Sequence, residues 1–144
     1  MKRLLVVFKK NHEEVHDSAL RTVISVLEER LQAGEIQYRT VARESVSRED
    51  FIGPDVVIVL GGDGTLTSIA HSVDDKSLVM GVNSHPMEGD GEGSFGFYMG
   101  SNATNFSSDL RRVLDETCIV NVLPRLQAEI VTTSGNILRS DPAL

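Results

Sequence analysis

The fold is decided at residues 55–65, which read Asp-Val-Val-Ile-Val-Leu-Gly-Gly-Asp-Gly-Thr. The five consecutive apolar residues Val56 to Leu60 predict a strand buried on both faces, and such burial favours a parallel sheet. A glycine-rich turn follows, and residues 65–72 predict a short helix. A strand, a glycine turn and a helix N-terminus together offer free backbone N–H groups to an anion such as phosphate.

The carboxylate in this turn is the feature that most needs an explanation. Phosphate binding does not require Asp63, and the negative charge of its side chain repels phosphate. Asp63 does fit a role in holding a hydroxyl group or a magnesium ion beside the phosphate. The alternative is a tight turn in which Asp63 caps the following helix.

The rest of the N-terminal part alternates strand and helix patterns. Apolar runs at residues 4–8 and 78–83 predict further buried strands, and the alternation at residues 35–41 predicts a half-exposed strand near an edge. Apolar residues recur at helical spacing over residues 15–31 and again over residues 106–114. This order predicts an α/β fold, a parallel sheet flanked by helices, with a ligand crevice at the carboxyl ends of the strands.

A second glycine-rich stretch leaves the next strand of the predicted sheet. Gly81-Val82-Asn83 ends that strand, and Gly93-Ser94-Phe95-Gly96-Phe97-Tyr98 follows after a loop. An aromatic surface beside a glycine-rich turn suits stacking of an adenine ring. The alternative is that the phenylalanines fill the core below the loop. We assign Phe95 to the core and leave both roles open for Phe97.

These two stretches carry a resemblance to known kinases. Gly61-Gly62-Asp63-Gly64-Thr65 resembles the GGDGT motif shared by NAD kinases and the diacylglycerol and sphingosine kinases. The second stretch is similar to the NAD kinase pattern in which G-[IV]-N precedes G-x-[LF]-G-F-[LY]. The lipid kinases instead carry a P-x-G-T-G-N-D block, which this sequence lacks. The sequence therefore resembles the N-terminal α/β portion of the NAD kinase family, which implies a fold like that of NAD kinase and phosphofructokinase.

The resemblance also implies an activity and a set of site residues. It implies phosphoryl transfer from ATP or polyphosphate to the 2′-hydroxyl of the adenosine ribose of NAD, giving NADP, with Asp63 as the base. Mg²⁺ is expected with the phosphoryl donor, and no dedicated metal ligands of the protein are predicted. The residues expected to bind NAD and its phosphates are Gly61, Gly62, Gly64, Thr65, Asn83, Phe97 and Tyr98.

Two other functions stay open beside this one. The first is a non-catalytic module that binds NAD or another nucleotide, and the second is a lipid kinase domain of the diacylglycerol kinase type. Lys9 and Lys10 follow the first strand, where they fit either a position near phosphates or a solvated loop.

The loop at residues 84–93 departs from the family pattern, because it is longer and carries Glu88, Asp90 and Glu92 between glycines. These acids are interpreted either as ligands of a divalent cation or as part of a solvated loop. Residues 12–16 match H-E-x-x-H. We interpret them as the first turn of a helix, capped by Asn11 and Glu14, rather than as a zinc site, and we expect both histidines to face the sheet.

The C-terminal part has a different pattern. We predict an α/β nucleotide-binding domain at residues 1–117 and the first strands of a β-rich domain at residues 118–144. Strands are predicted at residues 119–123 and 125–131, with a hairpin turn at 134–136 and a return strand from residue 137. The resemblance implies that an A-L-N-[ED] element would stand at the end of the chain and that the full-length protein is a homo-oligomer.

The overall composition and charge limit the classes of partner that the protein is expected to bind. A net charge of −7 over 144 residues argues against a nucleic acid or an anionic membrane surface as partner. No apolar run approaches the ~18 residues of a membrane span. The N-terminus, which begins as a strand, shows no signal peptide, and the single cysteine, Cys118, fits a reducing compartment. The sequence therefore predicts a cytoplasmic protein.

Overall fold

The structure is a computed structural model that describes residues 1–10, 14–89 and 91–144. Its strands and helices follow the predicted alternation, with short 3₁₀ turns at Arg43–Ser45, Arg48–Phe51 and Ala70–Ser72. In chain order the elements are β1 (Lys2–Phe8), α1 (Glu14–Gln32), β2 (Ile36–Ala42), β3 (Val56–Gly61), α2 (Asp63–Ile69), β4 (Leu78–Asn83), β5 (Ser101–Asn102), α3 (Phe106–Leu114), β6 (Glu129–Val131) and β7 (Ile137–Arg139).

The strands β1 to β5 form one parallel sheet in the order β2-β1-β3-β4-β5. Val6 of β1 is paired with Thr40 of β2 on one side and with Ile58 of β3 on the other. The chain therefore leaves β1 in one direction and returns in the other. In open α/β sheets the ligand crevice forms at such a reversal, outside the carboxyl ends of the strands. The predicted α/β fold is confirmed, and this rule places the expected ligand crevice where β1 and β3 end.

The sheet is covered on both faces, which explains the continuous apolar runs of its central strands. Leu4, Val6 and Ile58 pack with residues of α1 and α3, including Val23 and Phe106. The alternate residues of the same strands pack against the 3₁₀ turn that contains Phe51 and against α2. All six residues of β3 are buried. Because β3 is buried along its whole length, the glycine-rich turn that follows it has a fixed position at the carboxyl end of the strand.

The fifth strand was not predicted. Ser101–Asn102 pairs with Val82 and Asn83 at the end of β4. A two-residue strand has no apolar run and no alternation long enough to be recognised. It forms one edge of the sheet, beside the second glycine-rich stretch.

The C-terminal part corrects two expectations. Residues 119–123, all of which the structure describes, form no strand. Ile119 is 92% exposed and Val122 is 91% exposed, and within the described residues no strand pairs with this segment. The strand predicted at 125–131 is reduced to β6, which forms the predicted hairpin with β7. Arg125 connects this part to the rest of the protein by donating hydrogen bonds to the carbonyls of Ala70 and Val73.

Tyr38 on β2 is expected to titrate at about pH 12. Partial burial, together with the hydrogen bond that its hydroxyl donates to Glu28, raises the pKa of Tyr38 from 10.0 to about 12. Because folding raises this pKa, the contribution of Tyr38 to stability is complete below pH 10.0 and is lost as the pH rises to about 12. Ultraviolet absorbance titration checks this. The change in absorbance at about pH 12 should be absent in Tyr38→Phe and present in Tyr98→Phe. Ionisation of Tyr38 near pH 10.0 in the folded protein would contradict the prediction.

Candidate functional site

The two glycine-rich stretches leave neighbouring strands of the sheet at the same level. Gly61 at the end of β3 is paired with Asn83 at the end of β4. One residue later, the backbone N–H of Ser84 donates to the carbonyl of Gly61 at 3.0 Å. The parallel sheet therefore brings both stretches to one edge, as expected from their order in the sequence.

Asp63 joins the two stretches directly. Its carboxylate accepts a hydrogen bond from the backbone N–H of Phe97 at 2.9 Å and from that of Tyr98 at 2.8 Å, one on each oxygen. Asp63 is the first residue of α2, whose N-cap is Gly62 without a side-chain cap bond. The structure therefore does not show Asp63 as the cap of its own helix. An ionised carboxylate has about four acceptor positions, so roughly two stay available to a ligand.

The glycines of the turn have different surroundings. A Cβ at Gly61 would lie 2.3 Å from the hydroxyl of Thr65, and one at Gly62 would lie 2.7 Å from the hydroxyl of Ser94. A Cβ at Gly64 would meet no atom within 4 Å. Gly61 and Gly62 thus allow close packing within the protein, and Gly64 is the glycine of the turn with open space above it.

Thr65 and the two lysines complete the surroundings of the turn. The side chain of Thr65 is buried and its backbone N–H donates to the carbonyl of Gly62 at 2.9 Å. Lys9 lies beside the turn, because its backbone N–H donates to the carbonyl of Leu60 at 3.3 Å. Lys9 is half-buried and Lys10 is exposed. The backbone of Lys9 is therefore next to the residue that precedes the turn, whereas the backbone N–H of Lys10 donates to the carboxylate of Glu44.

Asn83 is buried, and both polar atoms of its side-chain amide form hydrogen bonds. Its Nδ2 donates to the carbonyl of Ser94 at 3.1 Å, and its Oδ1 accepts from the backbone N–H of His85 at 3.1 Å. These bonds hold the two ends of the 84–93 loop together. In the structure, the contacts of the Asn83 side chain are those of a residue that orients the loop after β4.

Phe95 and Phe97 point away from the core, whereas Tyr98 is half-buried and packs against the core beside Met99. Phe97 is 74% exposed and its ring meets that of Tyr98 edge to face, with centroids 5.0 Å apart. Phe95 is 79% exposed, so its assignment to the core was wrong. The physical reason is that Met99, which is buried, fills the core below this segment in its place. The exposed aromatic surface is therefore available to a flat ligand.

The long loop and the H-E-x-x-H segment are described in part. Asp90, Asn11, His12 and Glu13 lie outside the described residues, so the expectations that involve them are not settled. Glu88 and Glu92 are exposed. Among residues 1–10, 14–89 and 91–144, no three histidine, cysteine or acidic side chains form a group that could hold a metal ion.

His16 is buried on the sheet side of α1, as expected. Its Nδ1 is hydrogen-bonded to the hydroxyl of Ser84 at 2.7 Å, and its Nε2 has no partner within the described part of the chain. Sequence reasoning placed His16 over the sheet edge but did not identify Ser84 as its partner. No local signal could have done so, because the two residues are 68 positions apart.

A groove of about 1010 Å³ lies beside β4, between the α/β part and the C-terminal segment. Phe97 and Tyr98 line it, and its described lining includes none of Gly61–Gly64. Since the amides of the same two aromatic residues bind Asp63, this aromatic pair stands between the glycine-rich turn and the groove.

Comparisons with known proteins agree with this geometry. Residues 3–86 match the family model described as the diacylglycerol kinase catalytic domain. A protein of Arabidopsis thaliana named NADH kinase is 30% identical over 125 residues, which cover 77% of this chain and 35% of that protein. A probable NADH kinase of Oryza sativa subsp. japonica is 31% identical over 109 residues, which cover 66% of this chain and 34% of that protein. The chain thus spans about a third of the length of these relatives.

The chain belongs to the kinase family defined by the diacylglycerol kinase catalytic domain. The similarity to the relatives from both plants supports its membership of the NAD kinase group, as the N-terminal portion. The family match covers the glycine-rich turn and ends before the stretch at residues 93–98. Of the pattern that distinguishes this sequence from the lipid kinases, Gly81-Val82-Asn83 therefore lies inside the matched range and residues 93–98 lie outside it.

Proposed function

We propose that this chain is the N-terminal α/β portion of an NAD kinase-like enzyme that phosphorylates the 2′-hydroxyl of the adenosine ribose of NAD. The observation that carries the proposal is the bond between the two stretches: the carboxylate of Asp63 binds the amides of Phe97 and Tyr98 at the edge where β3 and β4 end. Residues 1–117 form the nucleotide-binding domain of the proposal, and residues 118–144 begin a β-rich domain.

Each side chain in the site has a defined task in this proposal. The adenine ring stacks on the exposed surface of Phe97 and Tyr98. The ribose 2′-hydroxyl donates to a free acceptor position of Asp63, which orients the oxygen and takes its proton as it attacks phosphorus. Gly64 gives the diphosphate room to approach, Gly61, Gly62 and Thr65 keep the turn in shape, and Asn83 holds the loop that carries the aromatic residues.

The phosphoryl donor of the proposal is ATP or polyphosphate together with Mg²⁺. In kinase sites Mg²⁺ is held by one or two carboxylates plus the substrate phosphates, so a dedicated protein cage is not required. Asp63, with its remaining acceptor positions, is the residue that would hold it, and the ion would offset the repulsion between this carboxylate and the phosphates.

Partners and compartment belong to the same proposal. NAD or NADH and the phosphoryl donor are the partners, and the net charge of −7 favours neither nucleic acid nor an anionic membrane surface. No helix of the described residues is long and apolar enough to cross a membrane. We propose a cytoplasmic homo-oligomer, with the free thiol of Cys118 as the support for a reducing compartment.

A non-catalytic nucleotide-binding module is the second candidate. The partial coverage of the relatives favours this candidate. The chain corresponds to 35% of the length of the Arabidopsis protein, and a part of that size need not contain every group that catalysis requires. A lipid kinase is the third, and the name of the matched family supports it. Formation of NADP would identify an NAD kinase-like enzyme, and nucleotide binding without NADP formation would identify the non-catalytic module. Phosphorylation of diacylglycerol would identify a lipid kinase.

Calorimetric titration of the 144-residue chain with NAD, NADH, NADP and ATP tests the proposed site. We expect saturable binding of the dinucleotides. Gly64→Val should weaken NAD binding at least about tenfold, because its side chain enters space that is open in the structure and that we assign to the diphosphate.

Gly100→Val is the matched control for this titration, since a Cβ at Gly100 also meets no atom within 4 Å but lies outside the turn. We expect the control to bind NAD as the unsubstituted chain does. A folded chain that binds none of the four nucleotides, or equal binding by the Gly64→Val variant, would contradict the proposed site.

A further inference from the structure

We propose that Asp63 is also a positioning residue, whose ionised carboxylate builds the aromatic wall of the dinucleotide pocket before any ligand binds. This inference rests on the proposed function and adds a task that a general base does not have. It makes the binding of NAD, and not only the rate of phosphoryl transfer, depend on Asp63.

The first support is the geometry of the acceptor and its donors. Phe97 and Tyr98 are consecutive residues, and their two N–H groups point at one carboxylate. Gly96, just before them, has a φ of +71°, a left-handed conformation that residues with a side chain adopt rarely. Successive amides that follow such a residue form a concave anion site. In this protein the anion in that site is the side chain of Asp63.

The second support is how the rest of the segment is held. Ser94 is bonded to His85 and Asn83 on one side of the aromatic residues, and the backbone N–H of Met99 donates to the carbonyl of Gly96 on the other. Among the described residues, the amides of Phe97 and Tyr98 have Asp63 as their partner. The exposed ring of Phe97 therefore takes its position from this carboxylate, whereas the ring of Tyr98 is held both by this bond and by packing against the core beside Met99.

The third support is the chemistry of the acceptor. A carboxylate accepts at both oxygens, whereas the amide of asparagine accepts at one and carries N–H donors on the other side. In Asp63→Asn one of the two backbone N–H groups faces a donor and loses its bond. The bond to Tyr98 is partly buried and the bond to Phe97 is exposed. Loss of the Tyr98 bond leaves a partly buried N–H group without a partner, and loss of the Phe97 bond releases the segment that carries the aromatic wall.

Two measurements on the 144-residue chain and its Asp63→Asn variant test the inference. The first is amide hydrogen exchange by NMR, where we expect at least about tenfold faster exchange at Phe97 or Tyr98. The second is the dissociation constant of NAD, which we expect to rise at least about tenfold. Unchanged exchange at both amides, or faster exchange with unchanged NAD binding, would overturn the inference.

Asp74→Asn is the matched control. The carboxylate of Asp74 also accepts two backbone N–H groups, from Lys76 at 2.9 Å and Ser77 at 3.2 Å, but outside the site. Both of these bonds go to Oδ1, and asparagine keeps one accepting oxygen, so this variant should leave both the exchange at Lys76 and Ser77 and the binding of NAD unchanged. If Asp63→Asn does not fold, through-hydrogen-bond couplings between the carboxylate and the two amides in the unsubstituted chain take its place, and their absence overturns the inference.

The same experiment separates this inference from the proposed function. If the unsubstituted chain binds no dinucleotide, the proposed function fails, and the aromatic wall does not bind a dinucleotide either. The exchange rates still decide whether Asp63 holds the segment. If NAD binds but Asp63→Asn changes neither quantity, the proposed function stands and the positioning role is wrong.

Discussion

Asp63→Asn is expected to lower kcat for NADP formation by at least about a hundredfold at saturating NAD, the usual share of a general base. An asparagine oxygen still accepts a hydrogen bond from the ribose hydroxyl, but it does not take the proton. Because saturating NAD offsets weaker binding, the fall in kcat isolates the catalytic part of the role from the positioning part.

The assay for this prediction uses a polypeptide extended to the length of the NADH kinase relatives, because this chain covers 35% of the Arabidopsis protein. Steady-state NADP formation is measured at several NAD concentrations, with Asp74→Asn as the control that should keep its kcat. A kcat for Asp63→Asn within a few-fold of the unsubstituted enzyme would remove Asp63 from the proton transfer.

Gly81→Ala is expected to lower the free energy of unfolding by about 1–3 kcal/mol, the usual cost of forcing an extra methyl group into a packed interior. The added Cβ would lie 2.6 Å from the carbonyl oxygen of Tyr98 and 2.7 Å from the sulfur of Met99. The carbonyl belongs to the backbone, so either β4 or the segment that carries the aromatic pair has to move. We therefore expect weaker NAD binding as well.

Urea unfolding followed by circular dichroism measures the effect of Gly81→Ala. Gly100→Ala is the control, because a Cβ at Gly100 has open space and a surface change of this kind usually stays within about 0.5 kcal/mol. Equal stability of the Gly81→Ala and Gly100→Ala variants would show that β4 does not pack against the second stretch as the structure has it.

The fold was predictable where the signal is local. The run from Val56 to Leu60 has no polar residue, is rich in β-branched residues and is bounded by Pro54 and Gly61, which is typical of a strand covered on both faces. The sequence order of the two glycine-rich stretches then placed both at one sheet edge. The five-stranded sheet confirms this part of the prediction.

The errors arose where the outcome depends on distant partners. Phe95 was assigned to the core because it is aromatic, but Met99 occupies that position and leaves Phe95 79% exposed. Residues 119–123, four of which are apolar, have strand composition, yet a strand forms only beside a partner. Composition alone therefore overestimated both burial and pairing.

The task of Asp63 was only partly predictable. A carboxylate in a phosphate-binding turn indicated a hydroxyl or a metal as its partner. The structure adds the amides of Phe97 and Tyr98, which lie 34 and 35 positions further along the chain. Backbone donors leave no trace in residue identity, so this contact becomes visible only when the fold brings the two stretches together.

The account is tested most directly by a crystal structure of the protein with NAD bound. We predict the ribose 2′-oxygen within about 2.6–3.2 Å of the carboxylate of Asp63, the reach of a general base. The adenine should lie against Phe97 and Tyr98, with the diphosphate over Gly64. NAD bound away from this edge, for example in the groove beside residues 118–123 with its ribose out of reach of Asp63, would contradict the account.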